Sequence, residues 1–89
     1  MTQEEIQRLA RGYKGITRLG TNHETLHFEN MDMFQSYGTV IAVVYAGTTY
    51  LTSSWDYSTT TGKYRNQFLG ENIHETRDKI RSGEYKLLK

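Results

Sequence analysis

Thr39-Val40-Ile41-Ala42-Val43-Val44-Tyr45, then Ala46-Gly47, then Thr48-Thr49-Tyr50-Leu51-Thr52 is the stretch that decides the fold class of this chain. Its first seven residues are β-branched almost throughout, and such side chains fit a pleated, half-buried surface better than a helix. Ala46-Gly47 sits where a tight hairpin turn would use the glycine's freedom at positive φ. Thr48 to Thr52 is then the returning strand. A sheet is expected at the centre of the molecule, with Thr39 to Tyr45 as its central strand.

Working upstream, Ile16 to Leu19 reads as a short strand, and Gly20-Thr21-Asn22 is turn chemistry. Leu26 and Phe28 alternate with Thr25 and His27 on a second strand, and Glu29 to Asp32 reads as a turn. At the N-terminus Thr2 and Glu5 form a capping box. Ile6, Leu9, Ala10 and Tyr13 follow at i, i+3, i+4 and i+7, one apolar stripe that predicts a helix from about Gln3 to Gly12.

Downstream the period changes to that of helices. Ser58 or one of Thr59 to Thr61 caps a helix striped by Tyr64, Phe68 and Leu69 and closed by Gly70. Asn72 with Glu75 starts another, in which Ile73, Thr76, Arg77 and Ile80 share a face and Gly83 supplies the stop. Glu75 and Lys79 are spaced for an i,i+4 ion pair. Tyr85 to Leu88 finishes as an edge strand or an ordered tail. The expected architecture is one α+β domain over residues 1–89. It has an N-terminal helix, a four-stranded antiparallel β-meander and two C-terminal helices packed on one face of the sheet.

Composition narrows the function classes. With 89 residues, 36% hydrophobic and 24% charged, there is room for one core and no second domain. The absence of cysteine excludes a disulfide framework, a thiolate metal site and a cysteine nucleophile. The acidic, polar start Met1-Thr2-Gln3-Glu4-Glu5 is unlike a secretory signal. The longest apolar run, Val40 to Tyr45, is far short of the roughly 20 residues of a membrane span. A cytoplasmic location with no membrane contact is expected. A formal charge of +1 provides no global attraction to nucleic acid.

Three features could carry chemistry. His23-Glu24-Thr25-Leu26-His27 spells the H-E-x-x-H of zinc-dependent proteases. That motif works on a helix, where four residues rise about 6 Å and bring both imidazoles to one ion. On a strand the two rings lie roughly 13 Å apart. The turn before it and the alternation through Leu26 and Phe28 favour the strand, with His23 and His27 on the solvent side and no metal held.

The second feature is Thr48 to Thr61, in which every residue but Leu51, Trp55 and Asp56 bears a hydroxyl. It runs into a helix start where Ser58, Thr59, Thr60, Thr61 and Lys63, with Arg65 nearby, could hold a phosphate on unpaired backbone N–H groups. Thr61-Gly62-Lys63 lacks the glycine spacing of a P-loop. The third feature is aromatic weight, seven Tyr, three Phe and one Trp. Most are expected in the core, leaving Trp55 and Tyr57 as surface anchors for a partner. No G-x-S-x-G elbow is present, and neither a catalytic set nor a cofactor is implied.

Phe34-Gln35-Ser36-Tyr37-Gly38-Thr39-Val40-Ile41-Ala42 and Trp55-Asp56-Tyr57-Ser58-Thr59-Thr60-Thr61-Gly62-Lys63-Tyr64 together resemble the S-Y-x-T-x-x-A and Y-S-x-T-T-x-K pair of a family of small uncharacterised bacteriophage proteins, a domain of unknown function. The likeness spans roughly residues 19 to 88. Where other members carry a histidine after the lysine, this chain has Tyr64. The resemblance implies a phage origin and brings no catalytic residues. The leading expectation is an interaction protein, not an enzyme, that binds a host protein stoichiometrically, as in host takeover or inhibition of CRISPR, restriction or nucleotide-signalling defences. The alternative is a phosphate-, nucleotide- or nucleic-acid-binding module using Ser58 to Arg65, and a zinc hydrolase is the distant third. Self-association is left open.

Overall fold

In the computed structural model, which describes residues 1–89, helix α1 (Gln3–Arg8) leads into five strands: β1 (Tyr13–Gly20), β2 (His23–Phe28), β3 (Met31–Ser36), β4 (Thr39–Tyr45) and β5 (Thr48–Leu51). Helices α2 (Thr59–Leu69) and α3 (Ile73–Ser82) follow, and strand β6 (Tyr85–Leu87) ends the fold. The six strands form one sheet in chain order. The first five make an antiparallel meander, whereas β6 returns parallel to β5. A parallel neighbour requires a long crossover, and α2 with α3 supplies it.

The sheet therefore has six strands where four were expected. Both additions have physical causes. Met31–Ser36 contains no β-branched residue, yet it is paired on both sides, to β2 and to β4. Ladder hydrogen bonds and burial of Met31, Met33 and Phe34 override weak intrinsic preference there. Tyr85–Leu87 resolves the choice between edge strand and tail, because Leu51 lies unclaimed on its outer side and pairs with Leu87. Helix α1 is also shorter than its stripe suggested. It ends at Arg8, and Tyr13 belongs to β1, where its ring meets Phe28 edge-on at 5.7 Å.

Strand alternation sorts the apolar side chains onto two faces. On one, Ile6 of α1 covers Met31, Met33, Val40, Val43 and Leu88. On the other, Ala42, Leu51 and Tyr85 pack with Trp55, Phe68, Leu69 and Ile80 from the α2–α3 side. The C-terminal helices thus share a face, as expected, and α1 takes the opposite one. A bulge between β3 and β4 shifts the register from Phe34↔Ala42 to Gln35↔Val40. It leaves Ile41 as the extra residue.

The helix ends match the capping residues. Ser58 Oγ accepts the Thr61 N–H at 3.1 Å, and Gly70 closes α2 at φ 71°. Asn72 and Glu75 make a reciprocal box at 2.9 and 3.2 Å. Each such cap contributes about 1 kcal/mol. Lys79 does not pair with Glu75, however. Its ammonium reaches Glu71 at 2.7 Å, beside the Tyr85 hydroxyl at 2.7 Å and the Thr76 hydroxyl at 2.6 Å, all donating to one carboxylate. Glu71 is nearly buried, so a local surface pair gives way to a tertiary one that fastens α3 to β6.

No helix is long and apolar enough to cross a membrane.

Candidate binding site

One end of the sheet gathers the hydroxyl-rich sequence. The β3–β4 turn, the loop from β5 to α2 and the first turn of α2 meet there. Ser36, the last residue of β3, shares a buried 3.0 Å hydrogen bond with Thr61 of α2. Tyr37 and Gly38 form the two-residue turn with φ 51° and 76°. Glycine adopts that left-handed backbone freely, but a tyrosine there costs about 1 kcal/mol. The Tyr37 N–H donates to the Asn22 carbonyl at 2.7 Å, which ties this turn to the one between β1 and β2.

Between the β3–β4 turn and the loop from β5 to α2, Ser36, Tyr37, Thr39, Ile41, Ser54 and Tyr57 line a cavity of about 310 Å³. Ser36 and Ile41 are buried and form its floor. Tyr37 and Tyr57 stand in its wall at 66% and 73% exposure, above every other exposed large apolar side chain in the chain. No lining residue is charged.

Beside the cavity lies an aromatic cluster around His23. The imidazole is 1% exposed and packs against Tyr64 at 4.4 Å, Tyr37 at 5.3 Å and Phe34 at 6.5 Å. Its Nδ1 lies 2.7 Å from the Thr21 carbonyl, which can only accept, so Nδ1 carries the proton. Nε2 is buried with no hydrogen-bond partner. Tyr64 lies over Gly20, which has no Cβ to obstruct the phenol. Tyr64, the residue after Lys63, is thus the nearest ring to His23.

The H-E-x-x-H stretch lies on β2, extended as expected. His23 is buried, however, not on the solvent side. His27 donates from Nδ1 to Asp32 at 2.8 Å, and its Nε2 shares a 2.7 Å hydrogen bond with the Thr17 hydroxyl. Glu24 points to the opposite face, held by Gln35 at 2.8 Å and near Arg18 at 3.6 Å. The three residues therefore do not converge, and no group of three or more His, Asp or Glu is placed to share an ion.

The residues singled out at the start of α2 separate into two sets. Arg65 is not an exposed cation beside Lys63. It is 2% exposed, and its Nη1 donates to the Trp55 carbonyl at 2.7 Å while Nη2 donates to Asn66 at 3.0 Å. Asp56 lies 3.6 Å from Arg65 and 3.4 Å from Arg77. Burial lowers the Arg65 guanidinium from its ordinary value, and the Asp56 charge opposes this. Arg65 thereby clamps the loop that carries Ser54 and Tyr57. Trp55 is half-buried, packed against the core and beside that guanidinium at 5.4 Å. Thr61 turns inward to Ser36. Tyr57, Ser58, Thr59, Thr60 and Lys63 remain exposed, with the Ser58 oxygen engaged as the cap and the Lys63 ammonium 5.3 Å from the Tyr64 ring.

Sequence reading missed Ser36, Tyr37, Thr39, Ile41 and Ser54 as lining residues. A signal was present. Four of them lie in the Phe34 to Ala42 stretch and Tyr57 lies in the Trp55 to Tyr64 stretch, and folding brings these two stretches together around one cavity.

A family of unknown function, DUF8033, matches residues 4–84. No curated protein and no solved structure matches the chain.

Proposed function

The chain belongs to the DUF8033 family, which brings no activity with it, and we propose on the geometry that it is a non-enzymatic binding module engaging a partner protein at the tyrosine-walled end of its sheet. One observation carries this reading. The two most exposed large apolar side chains, Tyr37 and Tyr57, flank the same uncharged cavity. Tyrosines supply large contact area and a hydrogen-bonding tip at small entropic cost, which is why they recur as anchors at interfaces. The loop that presents Tyr57 is clamped by Arg65, so less order has to be imposed on binding.

The finer reading is a phage-encoded protein that binds a host factor stoichiometrically in the cytoplasm of the infected cell. It rests on the resemblance of the Phe34 to Ala42 and Trp55 to Tyr64 stretches. The alternative, phosphate or nucleic acid held at Ser58 to Arg65, is favoured less, because Thr61 and Arg65 are turned inward.

A photo-crosslinking amino acid at position 57, expressed in a bacterial host, is expected to capture one discrete protein. The same group at Ile16, exposed on the α1 face, is expected to capture none. Tyr57→Ala should weaken the captured complex by about 30-fold, the loss typical of an interface anchor. Failure to form an adduct at position 57, or the same adducts from position 16, refutes the reading.

A further inference from the structure

We infer that the cavity between Tyr37 and Tyr57 receives a single uncharged aromatic side chain with a polar tip, a tyrosine or tryptophan of the partner protein. The inference rests on the reading of this end as a protein-binding surface, and specifies what that surface recognises.

Size sets the first limit. About 310 Å³ is at the bottom of the range of pockets that enclose whole ligands, which begins near about 300 Å³. One ring system fits, and an extended cofactor does not. Charge sets the second. None of the six lining residues is ionisable near neutral pH as a cation or carboxylate. The charges of the adjoining loop are engaged with one another, Asp56 lying between Arg65 and Arg77. An incoming carboxylate or ammonium would lose its water and find no counter-charge.

The walls and floor select among neutral groups. Tyr37 and Tyr57 both line the cavity, and contact with phenol rings favours an aromatic over an aliphatic side chain. Ser36, Thr39 and Ser54 line the cavity with Ile41. Each hydroxyl has two acceptor positions, and the Ser36 hydroxyl makes one hydrogen bond, to Thr61. A phenol O–H or indole N–H reaching the floor therefore finds an acceptor, whereas a plain phenyl ring makes no such bond.

Tyr37 supplies an independent observation. Its backbone is in the left-handed region at φ 51°, and the residue is 66% exposed. The turn itself is better served by asparagine or glycine, and so large an exposure gains little from burial. A ring docking on its exposed side would add to the edge contact that it makes with His23 at 5.3 Å.

The test is a titration of the isotopically labelled full chain, followed by amide NMR, with N-acetyl-tyrosinamide and N-acetyl-tryptophanamide. N-acetyl-phenylalaninamide, -leucinamide and -lysinamide and adenosine serve as comparisons. Saturable millimolar binding is expected for the first two, with shifts at Ser36 to Thr39 and Ser54 to Tyr57. The phenylalanine probe should bind about 5-fold more weakly, the loss of one hydrogen bond, and the lysine probe not at all. Tyr37→Gly suits the turn, so the variant should melt no lower than the parent and lose the binding.

The inference is overturned by no saturable shift with either polar aromatic probe, by equal binding of the leucine probe, by preference for adenosine, or by binding that survives Tyr37→Gly. The crosslinking outcome is separate. An adduct at position 57 without probe binding removes this inference alone, and probe binding without an adduct removes the partner reading.

Discussion

Phe34→Ala is expected to lower the unfolding free energy by about 4 kcal/mol, the range for removing a fully buried phenylalanine. Phe34 has no solvent exposure and stacks on Phe68 of α2 at 5.7 Å. An 89-residue domain has a total stability of roughly 4–13 kcal/mol at about 0.05–0.15 kcal/mol per residue. One truncation therefore removes a third or more of what holds the fold. The damage would concentrate at the binding end, because Phe34 also supports His23 and precedes the Ser36–Thr61 bond by two residues. Phe34→Leu, which keeps most of the volume, should cost about 1.5 kcal/mol. Urea denaturation of both variants decides the point. An alanine variant within about 1 kcal/mol of the parent, well below the cavity range, means that α2 is not held by this stack.

Glu71→Ala should cost about 3 kcal/mol, since it strips one nearly buried carboxylate from three donors and leaves the Tyr85 hydroxyl without its acceptor. The same group makes stability depend on pH at both ends of the scale. Burial by itself would raise the Glu71 carboxyl. Hydrogen bonds from Lys79, Thr76 and Tyr85 and the Lys79 charge outweigh it and hold the carboxyl below its ordinary 4.5. Its contribution is therefore complete above about 4.5 and is lost as pH falls through the lowered folded value. Tyr85 behaves in the opposite sense. Burial, then the hydrogen bond and charge of Glu71, push its phenol from 10.0 up to about 12. That contribution is present below pH 10 and fades as pH rises toward about 12. Lys79, raised chiefly by its hydrogen bond to Glu71, fades in the same direction. Denaturant midpoints of the parent should fall at both extremes, and those of Glu71→Ala should fall less. Parallel pH profiles for the two proteins would remove the network from the account.

How much of this was legible in the sequence follows from the range of the forces involved. The caps at Thr2, Ser58 and Asn72 and the stops at Gly70 and Gly83 were legible because each is a contact spanning a few residues along the chain. The strand from Thr39 to Tyr45 was legible because β-branched side chains record their preference locally. Met31–Ser36 was not, because its strand character comes from neighbours on both sides. The Glu71 carboxylate could not have been anticipated either. Local spacing offered Glu75 to Lys79, and only the return of β6 placed Tyr85 and Lys79 around the same oxygen atoms.

The site divides along the same line. The exposure of Tyr57 and the Ser58 cap could be read from sequence, as could the extended conformation of His23 to Phe28 that separates the two histidines. The inward turn of Arg65 and Trp55 could not, because a cation's exposure depends on whether a carbonyl and a carboxylate arrive beside it. By itself, then, the sequence determined the backbone conformation of most segments and the absence of thiol chemistry. Tertiary structure alone decided which face each segment buries and that Tyr37 and Tyr57, twenty residues apart in the chain, line one cavity. Backbone preference is settled within a turn or a strand, whereas a cavity exists only between elements that packing has already brought together.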